Sequence, residues 1–215
     1  QHRKATPLSK TLYWLQCGGC GGDTMSFLSA ESPSLLELFA ILEVNLLWHP
    51  SLSNLSYTQH RQLIAKIVSG EQPLDILCVE GSIIRGPGGT GMYDVFDGKP
   101  KKDLLAQLVR QANIVVAVGT CASFGGIGAD GEIESTGLQF HKDKKGGFLG
   151  DAFSSHSGLP VINLSGCPCH TVVLAETLSS LIMGAKIELN EYHLPQEWYG
   201  LLVHQGCVRN EYHEY

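Results

Sequence analysis

Five short runs of apolar residues recur along the chain, separated by segments in which apolar and polar positions alternate with helical spacing. The runs predict strands at Thr11–Gln16 and at residues 44–48, 74–79, 113–118 and 159–164. The intervening segments predict helices at residues 24–42, with an interruption near Pro33, and at residues 58–68, 102–112 and 172–183. Continuous apolar strands that alternate with helices are typical of a parallel sheet covered on both faces.

The order of these elements predicts an α/β fold, a flavodoxin-like doubly wound parallel sheet over residues 8–190, followed by a short C-terminal tail over residues 191–215. Residues 123–158 are Gly-rich and irregular, and unstructured segments of that length are commonly functional. In an open parallel sheet, ligands bind beyond the carboxyl ends of the strands. The chemistry of the protein is therefore expected at that edge.

The composition narrows the possible classes of function. A chain of 215 residues with 43% hydrophobic and 17% charged residues can bury one sizeable core. Its net charge of −6 gives no basic surface for nucleic acid. No apolar run is long enough to cross a membrane, and the polar start QHRKATPLSK lacks the apolar core of a secretory signal. We expect a cytoplasmic protein that reaches a membrane only through partners.

Seven cysteines is an odd number, which argues against a closed disulfide framework. Cys17 and Cys20 follow the first predicted strand as C-x2-C, Cys121 follows the fourth strand and Cys167 follows the fifth. Because these strand ends share one edge, we expect the four side chains to meet. Four thiolates suit either zinc or an iron–sulfur cluster. Only one pair of these cysteines, Cys17 and Cys20, is close in sequence, and many nearby glycines can donate their amides to sulfur. Both features favour the cluster over zinc.

Other residues allow two interpretations. Cys78 lies inside an apolar strand and is expected in the core, whereas Cys169, in the same turn as Cys167, is either a core residue or redox-active. Glu80 ends the third strand, where it either orients the cluster region or a subunit contact, or caps a backbone turn. The loop at residues 86–91 (GPGGTG) lacks the ending of a P-loop and is expected to be a docking loop.

Near the end of the chain, His204 and Cys207 (HQGC) have a spacing compatible with two ligands of a second cluster, although two ligands alone do not make a site. A set of motifs in one order resembles the small subunit of a nickel–iron hydrogenase, closest to the cytoplasmic uptake and hydrogen-sensing group. The motifs are LYWLQCGGCGGDTMSFL, LLWHPSLS, LDILCVEGSIIRGPGGTG, VAVGTCASFGGI, GGFLG, LPVINLSGCPCH and HQGCVRNEYHEY.

The resemblance implies an iron–sulfur oxidoreductase subunit that carries electrons from hydrogen oxidation and has no catalytic residue of its own. Cys17, Cys20, Cys121 and Cys167 match the ligands of the family's proximal [4Fe–4S] cluster, and His204 and Cys207 match two ligands of its distal cluster. The nickel–iron centre would lie in a large subunit, with which the chain would form a heterodimer or a dimer of heterodimers. We expect the cluster-binding segment that begins at residue 191 to continue beyond this sequence, with further clusters there.

Three alternatives are open. The related cluster-bearing subunit of respiratory complex I shares similar turns, but it has adjacent cysteines where this chain has C-x2-C. A structural zinc protein that acts as an interaction module would use the same thiols. A sensory hydrogenase would signal to a kinase instead of feeding a redox acceptor, and the sequence identifies neither that acceptor nor the tolerance of the protein to oxygen.

Overall fold

A five-stranded parallel sheet forms the centre of the molecule in the computed structural model, which describes residues 9–201 and residue 205. In chain order, the strands are β1 (Thr11–Gln16), β2 (Asn45–Trp48), β3 (Leu74–Glu80), β4 (Ile83–Ile84), β5 (Val95–Phe96), β6 (Lys99–Pro100), β7 (Ala112–Val118), β8 (Ser135–Thr136), β9 (Phe140–His141), β10 (Lys144–Lys145) and β11 (Ile162–Leu164). The helices are α1 (Gly22–Leu28), α2 (Leu35–Ile41), α3 (Tyr57–Val68), α4 (Lys101–Val109), α5 (Gly119–Phe124), α6 (Thr171–Ile182) and α7 (Gln196–Tyr199), with a short 3-10 helix at Gly126–Gly128.

The central sheet has the strand order β11-β7-β3-β1-β2, and all of its pairs are parallel. The chain builds outward from β1 to β2, then returns to β3 and continues in the opposite direction. The order therefore reverses between β1 and β3, which is the arrangement of a flavodoxin-like sheet. This confirms the predicted fold class.

Two predicted helices differ from the observed ones. The segment 24–42 forms two helices instead of one, because Pro33 interrupts it and Ser34 starts α2 with a capping box to Glu37. The fourth helix ends at Val109 instead of residue 112, because Ala112 is buried and pairs with Leu74 at the start of β7.

Helices cover both faces of the sheet. On one face, α3 and α4 pack through Ile67, Leu105 and Leu108 against a core that contains Tyr13 and Leu77. On the other face, α1, α2 and α6 pack against the second core, which includes these buried side chains: Leu12, Trp14, Phe27, Phe39, Cys78, Val116, Leu174 and Leu178. Burying each large apolar side chain contributes about 1.5–3 kcal/mol.

The predicted irregular segment is held in place by one buried side chain. The side-chain nitrogen of Gln139 donates to the carbonyls of Asp151 and Phe153, at 2.9 and 3.0 Å. The side-chain oxygen accepts from the backbone amide of Val161 at 2.9 Å. A single polar residue thus satisfies backbone groups from distant parts of a loop that lacks long strands. Among residues 9–201 and 205, no helix is long and apolar enough to span a membrane.

The described part of the predicted tail packs against the end of β11. The side chain of Asn163 donates to the carbonyl of Tyr192 at 2.8 Å, and the Tyr199 hydroxyl donates to the carbonyl of Ser165 at 2.6 Å. The predicted domain boundary at residue 190 stays a prediction. Gly88 and Gly89, in the predicted docking loop, donate their amides to the Glu134 carboxylate at 2.7 and 3.0 Å.

Candidate functional site at the carboxyl edge of the sheet

The loops after β1, β3, β7 and β11 meet beyond the carboxyl edge of the sheet and enclose a cavity of about 130 Å³. We call it the thiol cavity. Its walls are Gly19, Cys20, Gly22, Asp23, Glu80, Gly81, Thr120, Cys121, Gly166, Cys167 and Pro168. Three of the four predicted cysteine ligands therefore lie around one space, as the strand order requires.

Hydrogen bonds between loops fix these positions. The amide of Cys17 donates to the Glu80 carbonyl at 2.7 Å, which extends the pairing of β1 with β3 into the C-x2-C loop. On the other side, the amide of Thr120 donates to the Gly166 carbonyl at 2.8 Å, and its hydroxyl accepts from the Gly166 amide at 3.1 Å. These bonds hold the loop that carries Cys121 against the loop that carries Cys167.

Glycine is required where the backbone approaches the thiol cavity. Gly126 has a φ of +64°, and a Cβ there would lie 2.6 Å from the Cys121 sulfur. Gly119 has a φ of +84°, and a Cβ there would collide with the Asp23 carboxylate. Any side chain at these positions would displace a wall of the cavity.

Cys17, the fourth predicted ligand, is not among the walls of the thiol cavity. It is buried and packs with Tyr13 and Leu15 in the core under α3 and α4. Burial raises the pKa of the Cys17 thiol to about 12; Asp94 raises it further, and Lys101 partly offsets this. Cys17 therefore lies at the predicted edge of the sheet, and its role as a ligand stays a prediction.

Two carboxylates occupy the walls instead. One oxygen of Asp23 accepts the amide of Cys169 at 2.7 Å. Burial raises the pKa of Asp23, the Cys169 amide opposes that shift, and the nearby Glu80 adds to it. The Glu80 carboxylate is 1% exposed and accepts from Trp14 Nε1 at 3.0 Å and from the amide and hydroxyl of Thr24.

Thiol and carboxyl groups are concentrated at this cavity. The pKa of Cys121 is raised first by burial and then by the charges of Cys167, Asp23, Cys20 and Glu80. Groups that repel one another in this way stay protonated, unless a cationic group binds between them and stabilises the anions. The donor set therefore fits a metal centre.

Two kinds of centre suit these donors. Cys20, Cys121 and Cys167 line the walls of one cavity, and such thiols can bind either a zinc ion or an iron–sulfur cluster. Within residues 9–201 and 205, no group of three or more His, Cys, Asp or Glu side chains could hold a metal ion as placed.

A family model described as NADH ubiquinone oxidoreductase, 20 kDa subunit, matches residues 20–181. The chain belongs to this family. It is 33% identical over 227 residues to the small subunit of F420 non-reducing hydrogenase I of Methanosarcina mazei, a match that covers 94% of this chain and 58% of the relative. It is 31% identical over 202 residues to small subunit 1 of the periplasmic [NiFe] hydrogenase of Nitratidesulfovibrio vulgaris, covering 93% and 59%.

A solved actinobacterial-type NiFe hydrogenase from Ralstonia eutropha H16 matches with a TM-score of 0.81 at 29% identity, over 96% of this chain and 64% of that one. These relatives confirm the predicted resemblance to nickel–iron hydrogenase small subunits and the classification as a hydrogenase component. The chain spans just under three fifths of the length of the two curated relatives. The name of the family model is that of the complex I alternative, whereas both of these relatives are hydrogenase subunits.

The other residues that the sequence singles out lie away from the walls of the thiol cavity or outside the described residues. Cys78 is buried in β3, as expected for a core residue, and His204 and Cys207 lie outside the described residues. The thiol of Cys169 is buried, and its pKa is raised to about 12, first by burial and then by Asp23. Asp23 was not predicted as a site residue, although it follows the C-x2-C pair by three positions.

Proposed function

We propose that this chain is the electron-transfer small subunit of a nickel–iron hydrogenase and that the thiol cavity holds its proximal [4Fe–4S] cluster. The observation that supports this most is the position of Cys20, Cys121 and Cys167, which reach one cavity from three separate loops in a chain similar to hydrogenase small subunits. When bound, such a cluster stores and releases single electrons at a potential set by its surroundings. The nickel–iron centre would belong to the large subunit.

The fourth ligand is a choice between two residues. We propose that Cys17, Cys20, Cys121 and Cys167 hold the cluster, as the sequence predicts. Asp23 is the alternative to Cys17, because it lines the thiol cavity, whereas Cys17 packs with Tyr13 and Leu15. One oxygen of Asp23 accepts the Cys169 amide, and its carboxylate lies against the backbone of Gly119, which are contacts of a structural residue.

A partner surface surrounds the thiol cavity. Cys20 and Cys167 are exposed, so the cavity opens at the surface of the described chain. Three exposed apolar side chains follow the thiols in the chain: Met25 on α1 after Cys20, Ile127 after Cys121, and Val172 on α6 after Cys167. We propose that the large subunit covers this surface, which excludes water and brings its metal centre close to the cavity.

The proposal is tested by co-expressing the chain with its large subunit and measuring nickel, iron and acid-labile sulfide in the purified complex. We expect iron and sulfide in the small subunit, nickel in the large one, and hydrogen-dependent dye reduction. Cys121→Ser should abolish the absorption and the electron paramagnetic resonance signal of the proximal cluster. Full retention of that signal in Cys121→Ser, or zinc in place of iron and sulfide, would contradict the assignment.

The partner surface is tested separately. Ile127→Arg places a charge in the proposed contact and should abolish co-purification of the large subunit, because an unpaired buried charge is costly. Ile41→Arg is the matched control. Ile41 is equally apolar and 69% exposed, but it ends α2 on the opposite edge of the sheet. Equal retention of the large subunit by both variants would contradict the proposed surface.

The remaining details are proposals of the same kind. We propose that the chain forms a heterodimer with its large subunit in the cytoplasm. One relative is periplasmic, so cell fractionation should test the location. The match to the 20 kDa subunit of NADH ubiquinone oxidoreductase supports a complex I-type subunit as the second candidate. A nickel-free partner in the purified complex would favour that candidate.

A further inference from the structure

One buried residue, Glu80, joins β1, β3 and the start of α1 beside the thiol cavity. Glu80 is the last residue of β3, where it lies opposite Gln16 of β1 and Val118 of β7. Its carbonyl accepts the amide of Cys17, at the start of the C-x2-C loop. Its carboxylate accepts the amide of Thr24, just after that loop, at 2.9 Å. A single residue therefore fixes both ends of the segment that carries Cys20 and Asp23.

The second bond replaces a missing helix cap. The N-cap position of α1 is Gly21, which has no side chain to accept the first amides of the helix. The Glu80 carboxylate comes from a neighbouring strand and accepts the amide of the third helical residue, the bond that an N-cap side chain ordinarily makes. The start of α1 is thereby tied to the sheet and not only to its own loop.

The charge of Glu80 is not paired with a cation in the described part of the chain. Its hydrogen-bond donors are the neutral indole of Trp14 and the amide and hydroxyl of Thr24. All three groups donate, which is the arrangement that an ionised carboxylate accepts. A carboxylate with three donors and no cationic partner among the described residues thus lies beside the thiol cavity, at a site that is 1% exposed, where solvent screens charge weakly.

We propose that Glu80 is a positioning residue with two effects: its bonds clamp the loop of Cys20 and Asp23, and its fixed negative charge lowers the reduction potential of the cluster. A negative charge close to the cavity disfavours the addition of an electron. The second effect rests on the proposed function, because it requires a cluster, whereas the clamp does not.

The charge effect is tested by redox titration of the purified hydrogenase complex, followed by electron paramagnetic resonance. Glu80→Gln keeps the shape but removes the charge and should shift the midpoint potential to a more positive value at unchanged iron content. Thr24→Val removes a positive O–H dipole directed at Glu80 and should shift the potential the opposite way. If Glu80 had only a structural role, the two variants would not shift the midpoint potential in opposite directions. Shifts of the same sign in both variants, or no shift in either, would overturn the charge effect.

The matched control is Glu134→Gln. The Glu134 carboxylate also accepts two backbone amides, those of Gly88 and Gly89, but it does not line the thiol cavity. Its replacement should leave the midpoint potential unchanged. A shift equal to that of Glu80→Gln would mean that any lost loop carboxylate has this effect, and the proposal would fail.

The clamp is tested by hydrogen–deuterium exchange of peptides that cover residues 17–28, in the wild-type complex and in Glu80→Gln and Glu80→Asp. Both variants should accelerate exchange at Thr24, since the amide side chain of Gln accepts more weakly and Asp is too short. Glu80→Asp keeps the charge and should stay close to the wild-type potential. Unchanged exchange would overturn the clamp, and this result is readable even if the wild-type protein holds no iron.

Discussion

Tyr13 and Trp14 are neighbours on β1, point to opposite faces of the sheet and are both completely buried. Each side chain carries one polar atom, and that atom has a hydrogen-bond partner inside the protein. The Tyr13 hydroxyl is 2.7 Å from His60 Nε2, and that histidine ring stacks on Trp48 with centroids 3.5 Å apart. Trp14 Nε1 donates to the Glu80 carboxylate, and its ring stacks on Phe27 with centroids 5.6 Å apart.

The two faces differ in charge. On the Tyr13 face, burial lowers the pKa of His60 to about 4 and raises that of Tyr13, so both partners are neutral at pH 7. On the Trp14 face, Glu80 and Asp23 stand beside the thiols of the cavity. Among residues 9–201 and 205, the buried carboxyl groups are those of Asp23 and Glu80, and both lie beside the thiol cavity, where a cationic centre could compensate their charge.

The size of a cavity does not identify the candidate functional site. The cavity on the Tyr13 face is larger, about 360 Å³ against about 130 Å³, and its walls include Trp48, His60 and Lys101. Those walls contain no thiol and no carboxylate. The chemistry of the side chains, and not the available space, therefore identifies the smaller cavity as the candidate site.

The largest expected effect concerns the fourth ligand, for which Cys17 and Asp23 are the candidates. Cys17→Ser should lose most of the cluster, because thiolates are the ordinary ligands of such a cluster. Asp23→Asn should keep the cluster and reduce mainly stability, because the carboxylate accepts the buried amide of Cys169. The measurement is iron and sulfide per chain together with the electron paramagnetic resonance signal.

The control for this pair is Cys78→Ser, which replaces a buried thiol of β3 that does not reach the thiol cavity. It should match Asp23→Asn in cluster content. Loss of the cluster in Asp23→Asn, with retention in Cys17→Ser, would make Asp23 the fourth ligand in place of Cys17.

A smaller effect compares the hydrogen bonds of the two faces. Thr24→Val removes the hydroxyl that donates to the Glu80 carboxylate and should lower the free energy of unfolding by about 2 kcal/mol, because bonds to charged groups are the stronger ones. Tyr13→Phe removes a neutral bond to His60 and should cost about 1 kcal/mol. Urea titrations of the two variants measure the difference, and a larger loss in Tyr13→Phe would contradict the comparison.

The edge of the sheet that carries the chemistry could be predicted from the sequence. Apolar runs defined the strands, and the parallel topology then placed Cys20, Cys121 and Cys167 together. Cys17 follows β1 directly and packs with Tyr13 and Leu15. The sequence thus placed Cys17 at the same edge, and its contact with a cluster stays a prediction.

The carboxylates could not be placed in the same way. Asp23 reaches the cavity because Gly21 has a φ of +76° and turns the chain into α1, and because the amide of Cys169, 146 residues away, holds its carboxylate. Glu80 was recognised as a strand-end residue with two possible roles, but its partners Trp14 and Thr24 come from other elements. Such contacts depend on tertiary packing, which local patterns do not encode.

The smallest expected effect is a dependence of stability on pH that the neutral Tyr13 face should produce. The pKa of His60 is about 4 in the folded protein because the ring is buried, against an ordinary value of 6.5 in the unfolded chain. The unfolded state therefore binds a proton first as pH falls. The contribution of His60 to stability is complete above about pH 6.5 and decreases as pH falls toward about 4.

Between pH 7 and pH 5, the free energy of unfolding should fall by about 1 kcal/mol more in the wild type than in His60→Gln, whose side chain does not titrate. His156→Gln is the control, because His156 is exposed and its replacement should leave the pH slope unchanged. His49, on the Trp14 face, is also held by burial at a pKa of about 4 and remains in both proteins, so part of the slope should persist in His60→Gln. Equal slopes in the wild type and His60→Gln would mean that burial on the Tyr13 face does not lower the pKa of His60.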